Sequence, residues 1–170
     1  MKFILLNGCS CSGKSTIVKE LLQRRERLFN LSYDSLKWSF SQYTPDKCSS
    51  YVQAIMLAVL GAVAELKYDV ICDSGLFRER RQELIDFAVA HNYKIIEINL
   101  EADFEELSRR FDTRVASALA DPKSRISNIS KERFKELFDI FQKEKNTAAI
   151  IIRTDTQSSK DVIEEVLKIF

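Results

Sequence analysis

The chain has 170 residues, 45% of them hydrophobic, which is enough for one domain with a real core and too short for two. Lys+Arg 26 against Asp+Glu 25 leaves a net charge of +1, so the chain as a whole is no electrostatic sponge for nucleic acid, although a local basic patch stays open. A single histidine excludes a His-rich zinc site, and four cysteines without CxxC spacing point to a reduced, cytoplasmic chain.

A β-rich run at Lys2–Leu6 opens the chain; it is too short for the apolar region of a signal peptide, and Asn7-Gly8 ends it. The next eight residues, Gly8-Cys9-Ser10-Cys11-Ser12-Gly13-Lys14-Ser15, match G-x-x-x-x-G-K-[ST] at every fixed position. They stand where that motif must stand, directly after a strand and before a helix whose stripe is Ile17, Val18, Leu21 and Leu22. Two glycines let the backbone wrap closely enough for successive N–H groups to converge on a phosphate. The helix adds its positive end there. Lys14 can reach the terminal phosphates, Ser15 can hold Mg²⁺, and Thr16 completes the set of nucleotide-binding candidates. Cys9 and Cys11 read as small residues tolerated in the loop rather than reactive thiols.

A second strand is expected at Leu28–Ser32. Just beyond it, Asp34 can accept the proton of an attacking hydroxyl, because ligands of an open parallel sheet bind past the carboxyl ends of its strands. The alternative is that Asp34 only caps a helix starting at Ser35. Cys48 to Ala64 is uncharged, shorter than a bilayer span, and reads as a buried helix rather than a membrane segment. Trp38, Phe40 and Tyr43 before it could stack on an aromatic acceptor or pack at the core rim.

The third strand, Asp69–Cys72, ends in Asp73-Ser74-Gly75, an acid placed to serve Mg²⁺ or orient an acceptor. Arg78, Arg80 and Arg81 read mainly as helix-surface ion-pairing groups, with contact to an anionic acceptor as the alternative. His91 falls at the end of that helix, its ring facing the last carbonyls. A fourth strand follows at Lys94–Leu100, then a helix bearing Arg109, Arg110 and Arg114. Thr113–Ser130, with Asp121-Pro122, Lys123 and Arg125, is the least periodic stretch and reads as an irregular lid. A lid arginine, whether Arg110, Arg114 or Arg125, would neutralise charge on a transferring phosphoryl group, with Arg114 placed first. The stripe Phe134, Leu137, Phe138, Phe141, a fifth strand at Ala148–Ile152 and a last stripe from Val162 to Phe170 close the chain. Arg153-Thr154, past that strand, is a candidate for the base pocket.

Strands alternating with helices predict an α/β, three-layer P-loop NTPase fold, one domain over residues 1–170, with a five-stranded parallel sheet, helices on both faces and a lid near 113–130. The sequence lacks the N-K-x-D and D-x-x-G of a GTPase, and motors or transporter ATPases need more chain. What remains is the small phosphotransferase class.

These residues resemble the P-loop kinase superfamily, most closely the AAA-type small kinases that include polynucleotide 5′-hydroxyl kinases, chloramphenicol phosphotransferases and zeta toxins. The resemblance rests on Gly8–Ser15, on Asp34 with Lys37, on Cys72-Asp73-Ser74-Gly75-Leu76 followed by Arg80-Arg81, and on Arg110 with Arg114. It implies ATP and Mg²⁺ as cofactors, Asp34 as general base, Lys37 against an acceptor phosphate, and Arg114 against ATP. The sequence departs from the end-healing kinases in carrying Lys37 where they have Arg, and Ser74-Gly75 where they tend to have Thr-Asn. The expected activity is transfer of the γ-phosphate to a hydroxyl of a small-molecule or nucleotide-like acceptor. A polynucleotide 5′-hydroxyl kinase is the alternative, disfavoured by the charge balance, and a non-catalytic ATP-binding regulator is the alternative of another class.

Overall fold

The structure, a computed structural model, describes residues 1–73, 78–120 and 129–170. Five strands, β1 (Lys2–Gly8), β2 (Leu28–Asn30), β3 (Asp69–Cys72), β4 (Lys94–Glu101) and β5 (Ile150–Arg153), form one sheet in the order β2-β3-β1-β4-β5. Every pairing is parallel, so all five carboxyl ends lie along one edge.

The alternation of side chains along each strand divides the core in two. Phe3, Leu5, Val70 and Cys72 face α3 (Pro45–Glu65) and α4 (Arg78–Ala90), while Ile4, Leu6, Ile71, Ile98 and Ile152 face α1 (Lys14–Arg24) and α7 (Ser159–Leu167). A smaller cluster joins α5 (Phe104–Ala120) and α6 (Lys131–Glu144) to Cys9 at the sheet's carboxyl edge. Both faces of β1 and β3 are buried, which is why their sequences run apolar without alternation.

Three of the boundaries that differ from the sequence reading do so for a local reason. The second strand stops at Asn30 because Ser32 turns away to cap α2 (Tyr33–Lys37), its side chain accepting from Ser35 N. The fifth begins at Ile150 because Asn146 Oδ1 accepts from Ala148 N at 3.0 Å and holds a turn there. Thr113–Ala120 is not irregular but continues α5: Thr113 and Ser117 hydroxyls donate to the carbonyls of Arg109 and Thr113, and Val115 packs on the third cluster. Asp121-Pro122, Lys123 and Arg125, like Ser74-Gly75-Leu76, lie outside the described residues.

The uncharged stretch Cys48–Ala64 lies within the 21-residue α3, which is long and apolar enough by composition to cross a membrane. Here its inner face is spent on the core through Val52, Met56, Leu60 and Val63. His91 follows α4, stacks on Phe87 at 4.2 Å and directs Nδ1 to Phe87 O at 2.8 Å, the helix-end position expected of it.

Candidate active site

The loop between β1 and α1 is shaped by two glycines. A Cβ on Gly8 would lie 2.5 Å from Ser12 Oγ and 2.9 Å from the Leu100 carbonyl, so the strand end and loop close on each other only without a side chain. Gly13 occupies the N-cap of α1 at φ 94° and ψ 2°, and supplies no capping side chain. The first turn of α1 also holds no acid, so no side chain of that turn offsets the positive end of the helix. The Ser12 amide donates to Cys9 O at 3.2 Å, whereas the amides of Ser10, Cys11 and Gly13 have no partner among the described residues. Lys14 folds back over the loop and donates from Nζ to Gly8 O at 2.7 Å and Cys9 O at 2.8 Å. Burial pulls its pKa down, opposed by Cys9, Asp73 and Asp34. Cys9 is buried and its thiol is pushed up to about 11, which fits an inert loop residue.

Two acids face this loop from neighbouring strand ends. Asp34 is the second residue of α2, not its cap; Ser32 does the capping, which removes the alternative in which Asp34 only caps. Its Oδ1 pairs with Lys37 Nζ at 2.6 Å while the carboxylate stays exposed, leaving Oδ2 for another partner. Lys37 also lies over the Trp38 ring at 5.1 Å. Asp73 directly follows β3. Its Oδ1 is buried without a hydrogen-bond partner, and burial raises its pKa against the pull of a Ser32 hydrogen bond and Lys14. Ser15 and Asp73 line one open hollow of about 450 Å³ together with Asn30, Ser32 and Asp34.

Among the described residues no group of three His, Cys, Asp or Glu could hold a metal alone. A hydroxyl, one orphaned carboxylate oxygen, and room for phosphate and water are instead what Mg²⁺ at a nucleotide requires. The donor set fits.

A cavity of about 330 Å³ gathers Gly8, Cys9, Ser10, Lys14, Asp34, Lys37, Asp73 and Arg114 on one side. Five cations (Lys14, Lys37, Arg81, Arg114, Lys145) against three acids (Asp34, Asp73, Glu144) make its wall electropositive despite the near-zero charge of the chain. Arg114 is exposed, projects from α5, and has no ion-pair partner among the described residues. Arg110 is elsewhere. Its guanidinium donates to Glu106, to Cys11 O at 3.4 Å, and to Thr154 Oγ1 and O at 3.2 and 2.6 Å, pinning the loop to the end of β5. Arg109 pairs with Glu106 on the surface, Arg153 with Asp103 and Asp155, and Thr16 is exposed outside the cavity lining.

Sequence reasoning missed the opposite wall. Leu137, Ile140, Phe141, Glu144 and Lys145 come from α6 and its end, and Ile129 from the residue pair before it. The spacing of Phe134, Leu137, Phe138 and Phe141 predicts one apolar stripe, and of α6 Phe134 alone is fully buried. Arg81 also reaches the cavity rather than only the helix surface, 3.8 Å from Glu97 on β4. No local signal marked it, because an apolar stripe reads the same whether it covers a core or a pocket.

The fold is shared with a candidate kinase from Chloroflexus aurantiacus at TM-score 0.71 and 14% identity, over 98% of this chain and 97% of that one. It is shared with the Mycobacterium tuberculosis APS kinase CysC, solved with AMPPNP and APS, at 0.65 and 16%, over 98% and 95%. A chain of the Pnkp1/Rnl/Hen1 RNA repair complex aligns at 0.70 and 21%, over 93% of this chain and 50% of that one. No curated protein matches the sequence. Residues 3–142, most of the chain, match the AAA domain family, and the chain belongs to it, with the fold of the small P-loop kinases.

Proposed function

We propose that this chain is an ATP-dependent kinase that moves the γ-phosphate of ATP to a hydroxyl of a small-molecule or nucleotide-like acceptor, as one domain with a lid. The observation that carries the reading is the convergence of Lys14, Asp34, Asp73 and Arg114 on a single electropositive cavity at the carboxyl edge of the sheet. Four free cysteines suit a reducing compartment, and the proposal places the enzyme in the cytoplasm.

The free amides of Ser10, Cys11 and Gly13 and the positive end of α1 would bind the phosphates. Lys14 would exchange its two loop carbonyls for phosphate oxygens, a short swing that replaces neutral acceptors with anionic ones. Ser15 and Asp73 would hold Mg²⁺, which when bound offsets charge on the β- and γ-phosphates. Lys37 fixes one oxygen of Asp34 and leaves the other to take the hydroxyl proton. Arg114 would meet charge on the transferring group, a role typically worth ~10³–10⁵ in rate. Arg110 and Thr154 mark the side of the loop where the base would lie.

The fold shared with a chain of an RNA repair complex and the five cavity cations favour a second reading, a polynucleotide 5′-hydroxyl kinase. One experiment separates them. Labelled ATP is offered with oligonucleotide 5′ ends, nucleosides, sugars and antibiotics, with Lys14→Ala as the blank. Transfer to a small hydroxyl compound is expected. Transfer confined to oligonucleotides, with steep salt dependence, selects the second reading. No transfer above the blank refutes both.

A further inference from the structure

Helix α3 is more apolar than its packing in one chain requires. Less than half of its most apolar 18-residue window is buried. Opposite the sheet-facing residues, Tyr51, Ile55 and Leu66 stand 60%, 38% and 63% exposed, interleaved with exposed Ala54, Ala58 and Ala62. At 3.6 residues per turn these six share an arc of about 120°, one continuous face. Lys47 and Glu65, both exposed, lie on the same arc near its two ends, about 27 Å apart at 1.5 Å per residue. Neither has an ion-pair partner among the described residues.

The geometry points to a second copy of this chain as the occupant of that face. Laid antiparallel across a two-fold axis near Met56, α3 is complementary to itself. Lys47 meets the partner's Glu65, and by symmetry Glu65 meets the partner's Lys47. In the same register Ala54 lies against the partner's Ala58, and Tyr51 reaches the partner's Ala62, so the centre of the seam is lined by small residues. The alanines let the axes approach toward the short end of the usual 8–10 Å. Such an isologous contact closes at two subunits. A bilayer is a poorer occupant, because the inner half of α3 is committed to the core and the outer face is bounded by opposite charges. No α3 residue lines the cavity or the adjoining hollow, so the dimer leaves both open.

Sedimentation velocity on the full chain over a wide concentration range tests this. A particle of twice the 19.6 kDa chain mass is expected. Ala58→Glu sets two carboxylates beside the axis and should raise the dissociation constant roughly tenfold or more. Because that position is exposed, the folded monomer should persist, which circular dichroism and melting check. Lys47→Glu and Glu65→Lys should each weaken the dimer about fivefold, and the double variant should restore it, since the exchanged charges again face each other. A 19.6 kDa particle at every concentration overturns the proposal. So does a double variant no tighter than its parents, or a chain that floats with liposomes without self-associating.

Discussion

Replacing Gly8 by Ala should uncouple the loop from the sheet more severely than any other single methyl added to it. The new Cβ would lie 2.9 Å from Leu100 O, a backbone atom opposite Gly8 in the β1–β4 register, and 2.5 Å from Ser12 Oγ. The serine hydroxyl can rotate away, but the carbonyl cannot without moving β4, so the last pair of the ladder has to open by several tenths of an ångström. Overpacking of that kind costs about 1–3 kcal/mol, and the backbone, at φ +156°, adds strain of the order of 1 kcal/mol. A total of about 2–4 kcal/mol corresponds to a Tm lowered by roughly 4–16 °C in a chain of this size. Gly13→Ala is the control. Its Cβ meets nothing within 4 Å, so only the φ of +94° is penalised, at about 1 kcal/mol. Urea melts of the two variants and the parent give the comparison, and phosphate transfer should fall at least tenfold for Gly8→Ala because the loop amides shift together. A Gly8→Ala protein as stable as the parent, or more stable than Gly13→Ala, refutes the close-approach argument.

Asp34→Asn should lower turnover by about 10²–10⁴ while ATP affinity, measured by calorimetry, changes little; unchanged turnover on the true acceptor would exclude Asp34 as the base. Asp73→Asn should abolish Mg²⁺-dependent transfer yet raise thermal stability at neutral pH. The folded pKa of Asp73 lies above the ordinary 3.8, so the native state binds its proton more tightly and loses stability as pH rises from that value through the raised one. The Tm gain of the variant should therefore vanish in acid and be present at pH 7.5, and a gain that is flat with pH removes the burial argument. Iodoacetamide near pH 8 should label Cys11 and Cys48 before Cys9, whose thiol ionises only near 11; mass spectrometry showing Cys9 modified first contradicts that ordering.

Local chemistry settles at the level of the sequence. The loop Gly8–Ser15 and the helix behind it are set by residues within one turn of each other, so spacing alone was enough to find them. Strand and helix periods survive in the sequence for the same reason: each reports a face that one element buries. The five parallel strands follow from that alternation.

Where short-range signals competed, neighbours in space decided. Ser32 rather than Asp34 caps α2, because the helix begins at Tyr33 and the extended backbone of Ser32 places its hydroxyl to accept from Ser35 N. Arg110 and Arg114, four residues apart on one helix, part company: one is tied by Thr154 and Cys11, the other is left facing the cavity. The α6 wall is of the same kind, since its stripe is apolar whether it covers a core or a pocket. Periodicity records that a side chain avoids water, and it carries no account of what takes the water's place. The sequence by itself determined the phosphate loop and the layered sheet. Which arginine, which wall and which carboxylate oxygen meet at the loop was decided by contacts between residues tens of positions apart, and only the packed chain contains those.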